Sequence, residues 1–576
     1  MILKHTAPPL PTLDELVHAE LAKVSLGLSP ISLALAYADW AMHLSVSPGK
    51  QLALMQLATK LYQDTVSQQV NTDAQASPHA KDTRFENKAW SNWPYKLLKD
   101  NYQANEAWWK ESTQITGVSK HHAHLMQFFT RQWLDAMSPS NWALSNPEVL
   151  ENIKATGGQS LLKGLQQYAE DLQKMSAQQL KSESDASHPP AFKVGKDVAI
   201  TPGKVVYKNQ LIELIQYAPT TSKVHPEPLL IVPSCIMKYY ILDLSPHNSM
   251  VKYLVSEGFT VFMVSWRNPD SKDRDVGMHD YIQLGLLDAI AAVKSMSTSP
   301  QLHAMGYCLG GTFLSIAAAV LGRQKNKSPL ASVTLLAAQT DFSEPGELGV
   351  FIDDDQLLTL REEMAKTGYL SGKQMAGSFQ FLNSRDLIWS RSTQRYLLGR
   401  EEVGNDMVSW NKDTTRLPAR MHTEYLDSLF LNNSLSEGHY RFDGKAVDLM
   451  DIAQPLMVVG TVRDHISPWK SVYKIHAKTN TNTTFILASG GHNAGIISEP
   501  GHPHRNYQID SVPKNHDWID PEQWLAQADE VEGSWWPAWS RWLAHHSNSP
   551  VKAKEIANGE SLQNAPGKYV LTRYND

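Results

Sequence analysis

Leu302-His303-Ala304-Met305 is a short apolar run, Thr312 to Leu321 is a helix-compatible one, and between them stands Gly306-Tyr307-Cys308-Leu309-Gly310-Gly311. This stretch constrains the fold more than any other, because a strand that turns directly into a helix has room only for residues without side chains around the turn. Glycines two before and two after the central residue let the backbone close it, and that residue then stands at the helix N-terminus. The layout is that of a nucleophile elbow, with Cys308 at the nucleophile position. Taken alone the string is a weak signal, since free cysteine is among the most buried residue types. Its meaning depends on whether the rest of the chain supplies Cys308 with partners.

From about residue 191 the chain alternates apolar runs with helical patterns. Val205 to Tyr207 and Leu211 to Tyr217 read as a hairpin, and Leu229 to Pro233, Phe259 to Val264, Ser332 to Leu336, Pro455 to Gly460 and Thr484 to Leu487 as buried strands. Helices are expected over 249–257 and 280–296. Apolar strands alternating with helices indicate a parallel sheet covered on both faces, so the fold class is α/β. In the α/β-hydrolase arrangement nucleophile, acid and histidine follow in that order, each on a loop at the C-terminal end of a strand. Here the strand ending at Gly460 runs into Asp464, and the one ending at Leu487 runs into His492. Three loops agree in residue type, order and position, which makes Cys308, Asp464 and His492 the candidate catalytic set. Backbone N–H groups of Leu309 and of the Ser234 to Ile236 segment, which includes Cys235, are the expected oxyanion donors, and His465 is a pocket candidate.

The 576 residues exceed one ordinary domain. Residues 1–190 read as a mostly helical N-terminal domain, with a stripe at Leu33, Tyr37, Trp40 and Leu44 and a polar linker over 64–88. Residues 191–576 read as the catalytic domain. Within it strand alternation lapses over about 341–450, where aromatic and charged residues suggest a cap inserted over the site. Helices are expected to close the chain after residue 510. Lys plus Arg total 53 against 59 acidic residues, a net charge of −6, so no basic field argues for nucleic acid. Two cysteines favour a reducing, cytoplasmic setting over a disulfide scaffold. Between Lys23 and Asp39 no residue is charged, but the run is shorter than the roughly 20 residues that span a bilayer and contains Pro30. His121, His122 and His124 lack a ligand spacing with a partner cluster. Asp353 to Asp355 read as a solvated turn or helix start, and His502 and His504 as loop residues. No metal is expected.

Sulfur at the nucleophile position has a thermodynamic consequence. A thiol is only a few per cent ionised near neutral pH and needs a base such as His492. Its attack on a thioester yields another thioester, so the acyl group keeps its activation and can pass to a hydroxyl. Acyl transfer from a coenzyme A thioester is favoured over hydrolysis.

Over roughly residues 80 to 545 the chain also resembles the polyhydroxyalkanoate synthases. The shared strings include Asp82-Thr83-Arg84-Phe85, Ser138-Pro139-Ser140-Asn141, Asn146-Pro147-Glu148, Thr201-Pro202-Gly203, Lys238-Tyr239-Tyr240-Ile241-Leu242-Asp243-Leu244, Ser265-Trp266-Arg267-Asn268-Pro269, the elbow itself, Asp464-His465-Ile466 and Gly533-Ser534-Trp535-Trp536-Pro537. The length is similar to that of the single-subunit class I members. The resemblance implies polymerisation of (R)-3-hydroxyacyl-CoA into storage polyester, with Cys308, Asp464 and His492 as the catalytic residues and CoA thioester as substrate with no other cofactor. It also implies a homodimer and attachment to polymer granules and their associated proteins. Whether Asp464 orients His492 or activates the incoming hydroxyl stays open. Two loops depart from the family pattern: Pro233-Ser234-Cys235-Ile236-Met237-Lys238, and Gly491-His492-Asn493, where many members carry Ile after His. The competing readings are a Cys-nucleophile thioesterase or polyester depolymerase of the same fold, and a non-catalytic granule-coating protein.

Overall fold

The computed structural model describes residues 29–70, 82–180, 192–324, 327–401, 404–556 and 563–573. They form two compact units, one drawn from the N-terminal region together with residues 353–359 and 376–403, the other from the remainder beyond residue 186. The segment read as a cap over 341–450 is thus divided between the units. The domain boundary expected near residue 190 lies outside the described residues.

The first unit is helical, with α1 Pro30–Ser45, α2 Pro48–Val70, α3 Tyr95–Ser112, α4 Lys120–Ala136, α5 Pro147–Thr156 and α6 Gln159–Leu180. Proline opens α1, α2 and α5, where the missing N–H has no intrahelical partner to lose. Ser29 and Asn146 cap α1 and α5 by accepting from backbone N–H groups of the first turn. α1 buries Ser32, Ala36 and Trp40, and Tyr37 is 59 % exposed, so the buried stripe is offset from the expected one. The Trp40 indole donates to the Ser112 carbonyl at 2.8 Å, tying α1 to α3. Residues 64–70, expected in a linker, continue α2, and 71–81 lie outside the described residues. Arg84 is the hub of an ionic cluster: its guanidinium donates to Asp82, Glu106, Asp135 and the Tyr102 hydroxyl. The Asp82 to Phe85 string therefore has a structural role here. His121 and His122 each meet a carboxylate, Asp353 at 3.0 Å and Asp39 at 2.6 Å. Asp353 accepts from Gln356 N–H at the start of the helix Asp354–Thr367, so the acidic triplet is a helix start.

The second unit is built on a ten-stranded sheet. Its strands are β1 Gly203–Lys208, β2 Ile212–Tyr217, β3 Leu229–Val232, β4 Val261–Trp266, β5 Leu302–Tyr307, β6 Leu330–Leu336, β7 Leu456–Thr461, β8 Thr483–Ala488, β9 Asn506–Val512 and β10 Asp529–Glu532. They lie in the order β1-β2-β4-β3-β5-β6-β7-β8-β9-β10. From β4 to β8 all neighbours are parallel, and the pairs at both edges are antiparallel. Every residue of β3, β4, β5, β7 and β8 is buried, as strands covered on both faces require. The edge strands β9 and β10 replace part of the expected terminal helices, although a helix, α7, does close this region over Trp536–His545. His502 and His504 lie in the loop before β9.

Candidate active site

β5 ends at Tyr307, and the helix α8, Leu309–Gly322, begins two residues later. Cys308 between them has φ 53° and ψ −127°. A non-glycine residue held there stores roughly 1–3 kcal/mol of backbone strain, which the surroundings must over-determine. They do so through the flanking glycines. A Cβ on Gly306 would lie 2.4 Å from Gly311 Cα, and one on Gly310 would lie 2.3 Å from the Val232 carbonyl oxygen. Cys308 N–H also extends the β5–β6 ladder by donating to Leu336 O at 2.9 Å. The thiol is half-buried at the N-terminus of an almost wholly buried helix.

The other two loops are zipped together beyond their strands. Val462 N–H donates to Ala488 O at 3.0 Å and Arg463 N–H to Gly490 O at 2.8 Å, so the β7–β8 pairing runs on into both. Asp464 and His492 arrive side by side as a result. His492 Nδ1–H donates to Asp464 Oδ2 at 2.8 Å. Asp464 Oδ2 also accepts from Thr461 Oγ1 at 3.1 Å, and Oδ1 accepts from the N–H groups of Ile466 at 2.9 Å and Ser467 at 2.8 Å. A carboxylate whose side chain is 0 % exposed is thereby fully hydrogen-bonded. The remaining ring nitrogen of His492, Nε2, is left for Cys308, whose sulfur lies close enough to the ring to favour its charged form. Burial opposes charge on His492, but the Asp464 carboxylate and the Cys308 sulfur outweigh it and hold its pKa well above the ordinary histidine value. Imidazole and carboxylate are hydrogen-bonded with the Cys308 sulfur beside the ring, an arrangement able to move a proton from sulfur to Nε2 while charge on the ring is balanced from behind.

The other anticipated residues occupy varied positions. Leu309 is the first residue of α8, its N–H adjacent to Cys308. Cys235 is 3 % exposed in the loop after β3, and burial first, then the nearby Cys308, pushes its thiol pKa up. That thiol stays protonated. Ile236 N–H is engaged by Ser234 Oγ at 3.3 Å. Thr415 Oγ1 donates to the carbonyls of both Cys235 and Ile236, at 3.0 and 2.6 Å, fixing the loop's orientation. The His465 carbonyl accepts from Glu347 N–H at 2.9 Å and so anchors the next turn.

The sequence reading gave no role at the site to four residues. Thr461 supports Asp464 from the last position of β7. Trp535 and Trp536 donate through their indoles to Gly495 O and Ile496 O, both at 2.9 Å, pinning the far side of the His492 loop. Tyr425 packs against Phe342 and Phe430 at ring separations of 6.4 and 5.2 Å, and burial first, then Cys308 and Cys235, raises its pKa. Thr461 carried no signal, Trp535 and Trp536 stand in the shared Gly533 to Pro537 string, and Tyr425 was marked only by aromatic richness, which marks cores as readily as sites.

Comparison with known proteins places this arrangement. Family models for the poly-beta-hydroxybutyrate polymerase (PhaC) N-terminus and for the poly-beta-hydroxybutyrate polymerase N terminal match residues 81–254 and 8–50, and one for the alpha/beta hydrolase fold matches 228–498. A poly(3-hydroxyalkanoate) polymerase of Methylorubrum extorquens is 39 % identical over 503 residues, covering 87 % of this chain and 82 % of the relative. The PhaC subunit of the Cupriavidus necator poly(3-hydroxyalkanoate) polymerase is 38 % identical over 512 residues, covering 87 % and 85 %. Among solved structures, a monoacylglycerol lipase of Paleococcus ferrophilus is similar with a TM-score of 0.33 and 12 % identity over 58 % of this chain and 99 % of that one. With an α/β-hydrolase sheet, a helical N-terminal region and more than a third of its residues shared with those polymerases over most of both lengths, the chain belongs to the poly(3-hydroxyalkanoate) polymerase family of acyltransferase-type enzymes.

Proposed function

We propose that the chain polymerises (R)-3-hydroxyacyl-CoA through a thioester on Cys308 and releases CoA at each addition. The observation that carries this reading is the His492–Asp464 hydrogen bond with Cys308 beside the ring on a strand-to-helix elbow, in a member of a polymerase family. His492 Nε2 takes the thiol proton, and the sulfur attacks the thioester carbonyl. The oxyanion is held by the N–H groups of Leu309 and Cys235, helped by the positive end of α8. The carbon–sulfur bond to CoA breaks, and the proton on His492 goes to the departing CoA thiolate. The acyl group now sits on Cys308 with its activation intact. The 3-hydroxyl of a further unit, deprotonated by His492, then attacks it. An ester forms, the bond to Cys308 breaks and the sulfur is regenerated. The thioester is substrate, and the reaction calls for no other cofactor. A homodimer working at the surface of a polymer granule, with granule-associated proteins as neighbours, belongs to the same reading.

The test supplies 3-hydroxyacyl-CoA substrates of increasing chain length and follows free CoA together with insoluble polymer. Both should rise in step, with a cut-off in chain length set by the pocket. CoA release accompanied only by free hydroxy acid would identify a thioesterase instead. Cys308→Ala should abolish CoA release, and unchanged release would sink both enzyme readings.

A further inference from the structure

The residue just before the nucleophile and the residue just after the base are joined by a hydrogen bond. Tyr307 is the last residue of β5, 2 % exposed, and its hydroxyl donates to Asn493 Oδ1 at 2.6 Å. The same ring stacks on the His492 imidazole, with centroids 5.7 Å apart and planes at 29°. One side chain therefore fixes the His492 loop twice, by a polar contact at its tip and an aromatic contact along its face. Both contacts start from the residue that precedes Cys308.

The rest of the loop is held from the opposite side. The backbone turns tightly at Gly495 N–H to Gly491 O, 2.7 Å, and at Ile497 N–H to Asn493 O, 2.9 Å. The indoles of Trp535 and Trp536 hold the carbonyls that follow. These bonds fix the backbone, yet none of them sets the imidazole relative to the sulfur. Asp464 fixes Nδ1 but leaves the ring free to swing about that hydrogen bond. The stacked Tyr307 ring blocks the swing, and the bond to Asn493 keeps the tyrosine in place. Burial makes the pair interdependent. A phenol hydroxyl shut away from water without an acceptor costs about 1–3 kcal/mol, so removing the Asn493 acceptor drives Tyr307 to move and releases the ring it holds.

We propose that Tyr307 and Asn493 form a latch that sets the distance and angle between Cys308 and His492, acting as positioning residues for proton transfer. The proposal rests on the reading of Cys308 as nucleophile with His492 as its base. The latch predicts strong coupling: losing the Asn493 acceptor alone strands the buried Tyr307 hydroxyl and is worse than losing both groups, because an apolar pair leaves nothing unsatisfied.

The experiment is a double-mutant cycle with Tyr307→Phe, Asn493→Leu and the two combined, in the full-length protein. Two quantities are read: the single-turnover rate of acylation by 3-hydroxybutyryl-CoA, and the pH midpoint for alkylation of the Cys308 peptide by iodoacetamide. Asn493→Leu should slow acylation by roughly tenfold to a hundredfold, the range expected when reacting groups are misplaced by up to about 1 Å. It should also raise the alkylation midpoint, because the thiolate loses its imidazolium partner. The double variant should recover both to within about threefold of wild type. A merely structural role would lower the melting temperature and leave the alkylation midpoint unmoved, and that result would overturn the latch. His492→Ala in the same assay separates the two ideas. If it shifts the midpoint while the latch variants do not, only the latch fails. If it shifts nothing, the nucleophile–base reading fails as well, and the latch with it.

Discussion

Asp464→Asn isolates what the buried carboxylate does, because the structure dictates how an amide must sit in its place. Two backbone donors, the N–H groups of Ile466 and Ser467, converge on Oδ1 at 2.9 and 2.8 Å. The amide oxygen must occupy that position, which puts the NH2 group where Oδ2 now accepts from Thr461 and His492. Thr461 can rotate its hydroxyl to accept. His492 can accept at Nδ1 only by carrying its proton on Nε2, and then Nε2 has no lone pair for the Cys308 proton. The substitution keeps the shape and traps the wrong tautomer. The same trap in a serine protease triad costs about 10⁴ in kcat, which corresponds to about 5 kcal/mol of barrier. We therefore expect acylation of Cys308 to fall by about 10³ to 10⁴. Part of the loss should be regained above the ordinary thiol range, near pH 8.5 and beyond, where solvent hydroxide removes the proton. The assay is rapid quench with radiolabelled hydroxyacyl-CoA, which counts acyl groups on Cys308 separately from polymer length. If Asp464→Asn acylates within about tenfold of wild type and fails only to elongate, the tautomer argument is wrong and Asp464 acts on the incoming hydroxyl instead.

Other predictions test the frame around the site. Gly310→Ala places a Cβ 2.3 Å from Val232 O and 2.5 Å from Pro233 O, both rigid backbone. Moving α8 off β3 should cost about 1–3 kcal/mol or more, read as a melting temperature lowered by several degrees, and an unchanged melt would refute the packing argument. Glu213, 0 % exposed, accepts from the N–H groups of Lys568 and Tyr569 at 2.8 and 2.9 Å. Glu213→Ala should release the 563–573 segment, seen as amide exchange at least tenfold faster at those two residues and unaltered in β7, for a loss of about 2–4 kcal/mol of local stability. Burial pushes His303, His422 and His476 down to about 4. Their folded pKa lies below the unfolded value, so the unfolded chain binds protons first. Stability is complete above about pH 6.5 and falls towards pH 4, on the order of 3 kcal/mol for each histidine. Urea titrations should show the midpoint dropping through that window, with a shallower drop in His476→Phe.

The parallel centre of the sheet was legible because burial on both faces leaves a plain mark. Leu229 to Val232 and Leu456 to Val459 are uninterrupted apolar runs, and the loops after such strands are where functional side chains collect. The strands β9 and β10 left no such mark. In β9 only Tyr507 is buried, and Asp529–Glu532 is mostly exposed. Their pairing is satisfied by backbone hydrogen bonds, which any sequence can make, so acidic residues there read as helix or loop. The run expected as one helix over 280–296 is interrupted by a π-helical turn, Tyr281–Leu287. Gly285 within it meets the Trp266 ring at 2.3 Å from where a Cβ would stand, a contact that no local pattern announces. In the site itself, types and order revealed Cys308, Asp464 and His492. The engaged N–H of Ile236 and the hydroxyl of Thr461 could not be foreseen, because each depends on which atom of a neighbour points inward.

Exposure rises along the line of three side chains, from 0 % at Asp464 to 11 % at His492 and a half-buried Cys308. The order has a physical reason. The carboxylate's desolvation is met once, on folding, by four fixed donors. In the proposed cycle the imidazole takes up the sulfur's proton, and a partner already oriented and sealed from water stabilises that charge without rearranging. Within that proposed cycle the sulfur meets a bulky thioester and afterwards a chain end, so it alone must be reachable. Placing the strained, reachable residue on a buried helix and the permanent charge deepest lets folding energy hold both in position. The same gradient explains why sulfur suits the task. An acyl group left on an accessible oxygen would be an ordinary ester, whereas in the proposed cycle it stays activated on Cys308 for the hydroxyl that follows, and the imidazole that released the proton stands ready to take the next one.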